Sequence, residues 1–290
     1  MSMIYLENDF IKAGFSTKGA ELQELLHINS GENYLWSGNA EFWGKYSPVL
    51  FPIVGGLKEN TYRYNEESYK LSRHGFARDN EFSVEKQTSN ELLFVLSDTS
   101  DTRAVFPFEF KLGIRYTLEK ASLSCSYEVL NTGEKELLFS IGGHPAFALH
   151  TSEEASYSDY YLQFDKDTAI EYHEIENDLI SNKTNVLKLE EGKLKLRHQL
   201  FYNDALVFKT LKSEKITLAN NKNSNRLDFE FHNFPYFGIW AAKDADFVCL
   251  EPWCGIADVI GHDSALENKE GIVKLSQDQL FTRTWSVTIA

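Results

Sequence analysis

Three short segments carry residue types suited to proton transfer or metal binding. In Phe247-Val-Cys-Leu-Glu-Pro-Trp-Cys-Gly-Ile-Ala-Asp258 an apolar run ends in one carboxylate, Glu251, followed at once by Pro252 and Trp253. Such an acid sits partly buried and must be hydrogen-bonded, paired or used in chemistry. Trp253 beside it offers an apolar ring face, on which the C–H surface of a sugar packs while its hydroxyls seek polar partners. In Leu71-Ser-Arg-His-Gly-Phe-Ala-Arg-Asp79, His74 precedes Gly75, a pairing that suits a tight backbone position with open space beside the ring. Arg73 and Arg78 flank it with charge. In Phe139-Ser-Ile-Gly-Gly-His-Pro-Ala-Phe147, an apolar strand runs into Gly142 and Gly143, where the backbone bends or admits a ligand closely, and Pro145 fixes the exit after His144.

Each segment also has a plainer reading. Either histidine can hydrogen-bond a turn, and Glu251 can brace one. Two histidines and a glutamate support two chemistries. His74, His144 and Glu251 could ligate a metal, although close-spaced ligand motifs such as H-x-H or H-E-x-x-H are missing. Alternatively the carboxylate acts as base and a histidine as acid. The nucleophile elbow, the phosphate-binding loop and the dinucleotide fingerprint are absent, so hydride and phosphoryl transfer have no support.

The chain that must position these groups has 290 residues and a formal charge of −14. Scattered acidity argues against nucleic acid and anionic membranes as partners and favours a small, locally recognised molecule. Cys125, Cys249 and Cys254 form no metal-ligand spacing and read as reduced thiols of a cytoplasmic protein. The N-terminus lacks the pattern of a signal peptide. No apolar run approaches the roughly 20 residues that span a bilayer.

The 5 Trp, 14 Tyr and 21 Phe lean the composition toward strands. Phe82 and Val84, then Leu92, Phe94 and Leu96, alternate with polar positions. Phe110, Leu112, Ile114, Tyr116 and Leu118 repeat the pattern, as do Leu123, Cys125, Tyr127 and Val129. Strict alternation with short connections predicts antiparallel strands that bury one face. A further strand is expected over 137–141, and others over 160–164, 205–208, 215–218, 227–231, 237–240 and 285–289. Residues 41–46 predict a helical turn. With no linker, the expectation is one domain over residues 1–290, an all-β, large antiparallel β-sandwich, with a closed barrel as rival.

At Phe51-Pro-Ile-Val-Gly-Gly-Leu-Lys58, His74-Gly-Phe-Ala-Arg78, Gly142-Gly-His-Pro-Ala-Phe147, Glu251-Pro-Trp253 and Gly255-Ile-Ala-Asp258, the chain resembles the aldose 1-epimerase (galactose mutarotase) superfamily, most closely its LacX-like bacterial branch. The strings run in family order across residues 45–260. The resemblance implies the family's β-sandwich, the galactose mutarotase-like supersandwich, and interconversion of the two anomers of an aldose without metal or organic cofactor. It implies Glu251 as general base on the anomeric hydroxyl, His144 as general acid on the ring oxygen, and His74 in contact with sugar oxygens. Many members carry an arginine where Gly56 stands here; Lys58 or Arg78 is the expected substitute. Asp204 is matched to a sugar-binding aspartate, and Trp253 to the ring platform. Trp36, Phe51 and Trp240 are candidate aromatic walls, with core packing the more ordinary role for each. Two other readings stay open: a hexose-6-phosphate 1-epimerase, with Lys58, Arg73 and Arg78 as the cationic pocket, and a carbohydrate-binding or sensing protein without catalysis. The assembly is expected to be a monomer or homodimer.

Overall fold

In the computed structural model of the chain, which describes residues 3–153 and 155–290, the alternating stretch becomes the antiparallel pair Phe110–Glu119 and Ser122–Asn131. Leu112 lies opposite Val129 and Ile114 opposite Tyr127, so the apolar sets of both strands face one side. This pair lies inside a nine-stranded antiparallel sheet running from Lys193–Lys195 at one edge to Ser83–Gln87 at the other. An eight-stranded sheet follows the order Leu179–Lys188, Ala169–Glu176, Leu206–Phe208, Tyr236–Trp240, Phe247–Cys254, Ile141–Gly143 and Val49–Leu50, with Ala146–Ala148 also paired to Phe247–Cys254. A four-stranded sheet begins the chain, from Ile4–Glu7 to Glu32–Asn33.

The two large sheets pack face to face. Phe229 of the nine-stranded sheet lies 5.7 Å from Phe147 and 6.2 Å from Phe237 of the other, ring centre to ring centre. Tyr127 and Trp285 are buried in the same core. Burying each such ring stabilises the fold by roughly 1.5–3 kcal/mol. The N-terminal sheet adds Phe15, 4.4 Å from Tyr116. The sandwich expected from alternation is present, and the barrel is not.

Two local expectations differ. The strand expected over 137–141 is two short strands divided at Ser140. Leu137–Phe139 pairs with Val273–Leu275, while Ile141–Gly143 joins the eight-stranded sheet. Residues 41–46 form turns; Trp43 N–H bonds to Asn39 C=O without extending into a helix. The one α-helix among the described residues is Ser100–Val105, capped by reciprocal hydrogen bonds between Thr99 and Thr102. Among the described residues no helix is long and apolar enough to cross a membrane.

All eight residues of Phe247–Cys254 are buried, so this strand shows no alternation of apolar and polar types. One face packs into the core through Leu250. The other face carries Glu251 and Trp253, opposite Gly238 and Tyr236 of the neighbouring strand. A smaller apolar cluster of Leu50, Val207, Trp253, Ile256 and Ala257 lies there. Two of the candidate site residues, Glu251 and Trp253, therefore share this face.

Candidate active site

A cavity of about 550 Å³ opens over the eight-stranded sheet, lined among others by His74, His144, Asp204, Glu251 and Trp253. Five residues that the sequence marks as site candidates therefore meet, although they come from segments spread over 180 positions of the chain. Arg78 also lines it.

Glu251 is 1% exposed and His144 is 8% exposed. Glu251 Oε2 lies 3.3 Å from His144 Nε2. Burial pushes the Glu251 carboxyl well above its ordinary range; Arg73 pulls against this and Asp204 adds to it. Burial lowers the His144 imidazole to about 3, with Arg73 and Arg78 adding. Both directions have one cause. A desolvated pair favours the uncharged arrangement, in which the two groups hold a single proton between them.

The surroundings fix the geometry of this pair. Trp43 stacks on the His144 ring at 5.0 Å and 26°, and Trp240 meets it edge-on at 5.6 Å. The Trp253 ring lies flat along the sheet because its neighbours have no side chains. A Cβ at Gly238 would stand 2.4 Å from the ring, and one at Gly142 2.5 Å. At Gly143 a Cβ would stand 2.4 Å from the Tyr127 hydroxyl. Gly142 and Gly143, expected to let the backbone bend or a ligand approach, thus make room for aromatic side chains of the protein.

His74 has φ +70°, as has Gly75 after it, where a Cβ would meet the Phe51 carbonyl oxygen at 2.4 Å. This forced turn aims the imidazole into the cavity, with its ring centre 5.7 Å from that of His144. Gly55 N–H donates to His74 Nδ1 at 3.2 Å, and Arg73 Nε stands 3.2 Å from Nε2. A neutral imidazole accepts at one nitrogen only, so these two donors compete for it. Burial holds His74 well below its usual value, with His144, Arg73 and Arg78 adding, which keeps the ring neutral.

The cationic residue of the cavity differs from the expectation. Lys58 does not line it; its ammonium donates to the His262 carbonyl at 3.3 Å, and its backbone N–H to Asp258. Arg78 Nη2 donates to the Arg73 carbonyl at 2.8 Å and so braces the loop. Arg73 itself presents the guanidinium, with Nη1 2.6 Å from Asp178 and Nη2 3.4 Å from Asp204. Burial opposes its charge, and Asp204, Asp178 and Glu251 outweigh burial. Gly56 explains the shift of position. A Cβ there would lie 2.7 Å from the Asp178 backbone oxygen, so the turn that grips Arg73 occupies the space of any side chain at 56.

Asp204 Oδ1 also accepts the Ala205 N–H at 2.7 Å, which fixes it at the cavity edge. Trp36 and Phe51 are core residues, whereas Trp240 is a cavity wall. Trp43 and Asp178 were not singled out by sequence. Asn177-Asp178 has the composition of a strand-connecting turn, which gave a signal for structure but none for the site. Ten buried side-chain nitrogens and oxygens lack a hydrogen-bond partner among the described residues. Four belong to the cavity: His144 Nδ1, Glu251 Oε1, Trp253 Nε1 and Arg78 Nε. Unsatisfied buried groups are rare and costly, so this concentration marks a place for a polar ligand.

The model of the family described as aldose 1-epimerase matches residues 2–274. The chain belongs to the aldose 1-epimerase family. Among curated relatives of this aldose 1-epimerase family member, the plasmid and chromosomal LacX proteins of Lactococcus lactis subsp. lactis are each 30% identical over 296 aligned residues, covering 99% of both chains. A galactose mutarotase related enzyme from Lactobacillus acidophilus superposes with a TM-score of 0.96 at 33% identity, covering 100% of this chain and 97% of its own. A galactose mutarotase-like protein from Lactobacillus casei gives 0.91 at 29%, covering 100% of each. These are the proteins that this epimerase-family chain resembles in sequence and fold.

Proposed function

We propose that the chain catalyses interconversion of the α and β anomers of a free aldose by opening and closing the pyranose ring. The observation that carries this reading is the buried Glu251–His144 contact of 3.3 Å, with unsatisfied atoms on both groups, in a cavity of an aldose 1-epimerase family member.

Ring opening removes a proton from the C1 hydroxyl and delivers one to the ring oxygen. These two oxygens share one carbon, so their catalysts must stand close together. Glu251 and His144 do. In the productive arrangement the carboxylate takes the hydroxyl proton and the imidazolium protonates the ring oxygen as its bond to C1 breaks. The pair holds one proton before and after: His144 has given its proton to the ring oxygen, and Glu251 carries the one taken from the C1 hydroxyl. Rotation about C1–C2 presents the other face of the aldehyde, and the same transfers in reverse close the ring. Each well-placed proton transfer contributes about 10²–10⁴-fold. Arg73 favours the ionised carboxylate. His74, Asp204 and Arg73 offer donors and acceptors to the remaining hydroxyls, and Trp253 and Trp240 offer ring faces.

The charge of the wall favours a free sugar over a sugar phosphate. Arg73, Arg78 and Lys243 line the cavity, and so do Asp178, Asp204 and Glu251. Arg73 is already held by two aspartates. With the Glu251–His144 pair neutral, three cations face two aspartates, and the net of one positive charge (3 − 2) is less than a dianionic phosphate needs from its cradle.

Two-dimensional exchange NMR on purified protein with free and 6-phosphorylated aldoses tests the reading. Free aldoses should exchange anomers faster than in buffer, and 6-phosphates should gain little. Binding without acceleration for any sugar would overturn the catalytic assignment, and preference for phosphates would overturn the choice of substrate.

A further inference from the structure

The proposed chemistry leaves unused a buried thiol that stands beside its acid–base pair. Cys249 precedes Glu251 by two positions on the same strand and so points to the same face. It is fully buried. Its sulfur, a nitrogen of His144 and an oxygen of Glu251 all lie within 4.8 Å of one another. We propose that His144, Cys249 and Glu251 form a three-ligand site for a soft divalent cation of the Zn²⁺ type, which displaces the sugar and blocks the acid–base pair. The metal site stands on geometry alone; its inhibitory consequence rests on the epimerase reading.

The spacing fits. Zn–N and Zn–O bonds of about 2.0–2.2 Å at tetrahedral angles place the nitrogen and oxygen about 3.3–3.5 Å apart. His144 Nε2 and Glu251 Oε2 stand at 3.3 Å. A Zn–S bond of about 2.3 Å calls for sulfur roughly 3.6 Å from the other ligands, so the thiol needs to close by little more than about 1 Å. To bind the ion, Glu251 Oε2 and His144 Nε2 give up only their contact with each other, and Glu251 Oε1 and His144 Nδ1 have no hydrogen-bond partner among the described residues. Both side chains are at least nine-tenths buried. His144 and Glu251 both line the cavity, so an ion held by them is within reach of a water or hydroxyl there.

Charge and ligand type point to the same cation. Binding expels the thiol proton and the one proton shared by Glu251 and His144. A divalent ion with one thiolate and one carboxylate is neutral, as a desolvated floor requires. Thiolate and imidazole select zinc-like ions over magnesium or calcium.

The test uses the full chain, stripped with chelator, and zinc itself in competition with a chromophoric indicator. One tight Zn²⁺ per chain is expected, and Cys249→Ser should weaken it by more than about 100-fold, since even outer-shell changes cost 10–100-fold. Co²⁺ should give a thiolate charge-transfer band with the wild type and none with Cys249→Ser. Cys249→Ala, checked for folding by circular dichroism, guards against a defect specific to a buried hydroxyl. Equal zinc affinity in wild type and both variants, or a cobalt complex without the band, overturns the site. In the activity arm, zinc should arrest anomer exchange by the wild type, chelator should restore it, and Cys249→Ser should keep its rate in zinc. Zinc bound through Cys249 in a protein that never accelerates exchange supports the metal site and removes the epimerase reading. Exchange that zinc leaves untouched overturns the inhibition.

Discussion

The outer face of the nine-stranded sheet and the cavity over the eight-stranded sheet use the same residue types in opposite ways. On the first, Arg115 lies across three strands, with Nε 2.6 Å and Nη2 3.0 Å from Glu128 and Nη1 bonded to Glu91. These side chains remain 21–28% exposed. Each of the three charges has an ion-pair partner and a part of its surface open to solvent. In the cavity, Glu251 and His144 are buried against each other, each with an atom that has no hydrogen-bond partner among the described residues. The first arrangement is complete as it stands. The second is costly without a ligand, and that incompleteness distinguishes a site from a surface ion pair.

The sharpest break of this comparison is removal of the proton acceptor. Glu251→Gln keeps size and burial and cannot take a proton, so kcat for anomer exchange should fall by about 10²–10⁴-fold with the melting temperature little changed. A wild-type rate by polarimetry would remove Glu251 as base. His144→Asn should lower kcat within the same range, by removing the proton donor to the ring oxygen.

The two regions also differ in how much the sequence shows. Phe110–Glu119 and Ser122–Asn131 were legible because one face of each is polar. Phe247–Cys254 is buried on both faces, so alternation vanishes, and its lone acid stood out instead. Glu251, His144 and His74 announced themselves by type within apolar or glycine-rich strings. Arg73 announced only charge. Its partners Asp178 and Asp204 lie 105 and 131 positions away, and nothing local specifies that contact. The same distance hid why Gly56 is glycine: the Asp178 turn fills its space. Lys58 looked available because the His262 carbonyl that holds it is 204 positions distant.

Arg73 sits between the two regimes, ion-paired like Arg115 yet placed in the cavity wall. Arg73→Met should raise KM by about 10–100-fold, the value of hydrogen bonds to a charged group, with a smaller change in kcat. It should also move the acid limb of the pH profile. Arg73 lowers the Glu251 pKa, so its loss raises that pKa and activity is lost at higher pH. An unchanged KM and acid limb would return Arg73 to the class of surface pairs.

His74 tests the cavity through stability. Burial depresses its folded pKa well below 6.5, while the unfolded chain binds a proton near 6.5. The associated stability is therefore present above pH 6.5 and lost as pH falls toward the folded value, by up to about 1.4 kcal/mol per pH unit. His74→Asn keeps a residue type that tolerates φ +70°. The difference in urea midpoint between pH 7 and pH 5 should shrink in this variant; an unchanged difference would show that His74 is not held neutral.

The smallest effect is expected on the other side of the comparison. Glu128→Gln removes one carboxylate from the Arg115 cluster, leaving Arg115 bonded to Glu91 and in reach of water. Exposed pairs of this kind contribute about 0–1 kcal/mol, because solvation replaces most of what the contact supplies. Stability should fall by less than about 1 kcal/mol, less still at high salt, and anomer exchange should not change. A loss of exchange in Glu128→Gln would mean that the nine-stranded face communicates with the cavity through the shared core, and would end the separation between the complete charge cluster and the incomplete one.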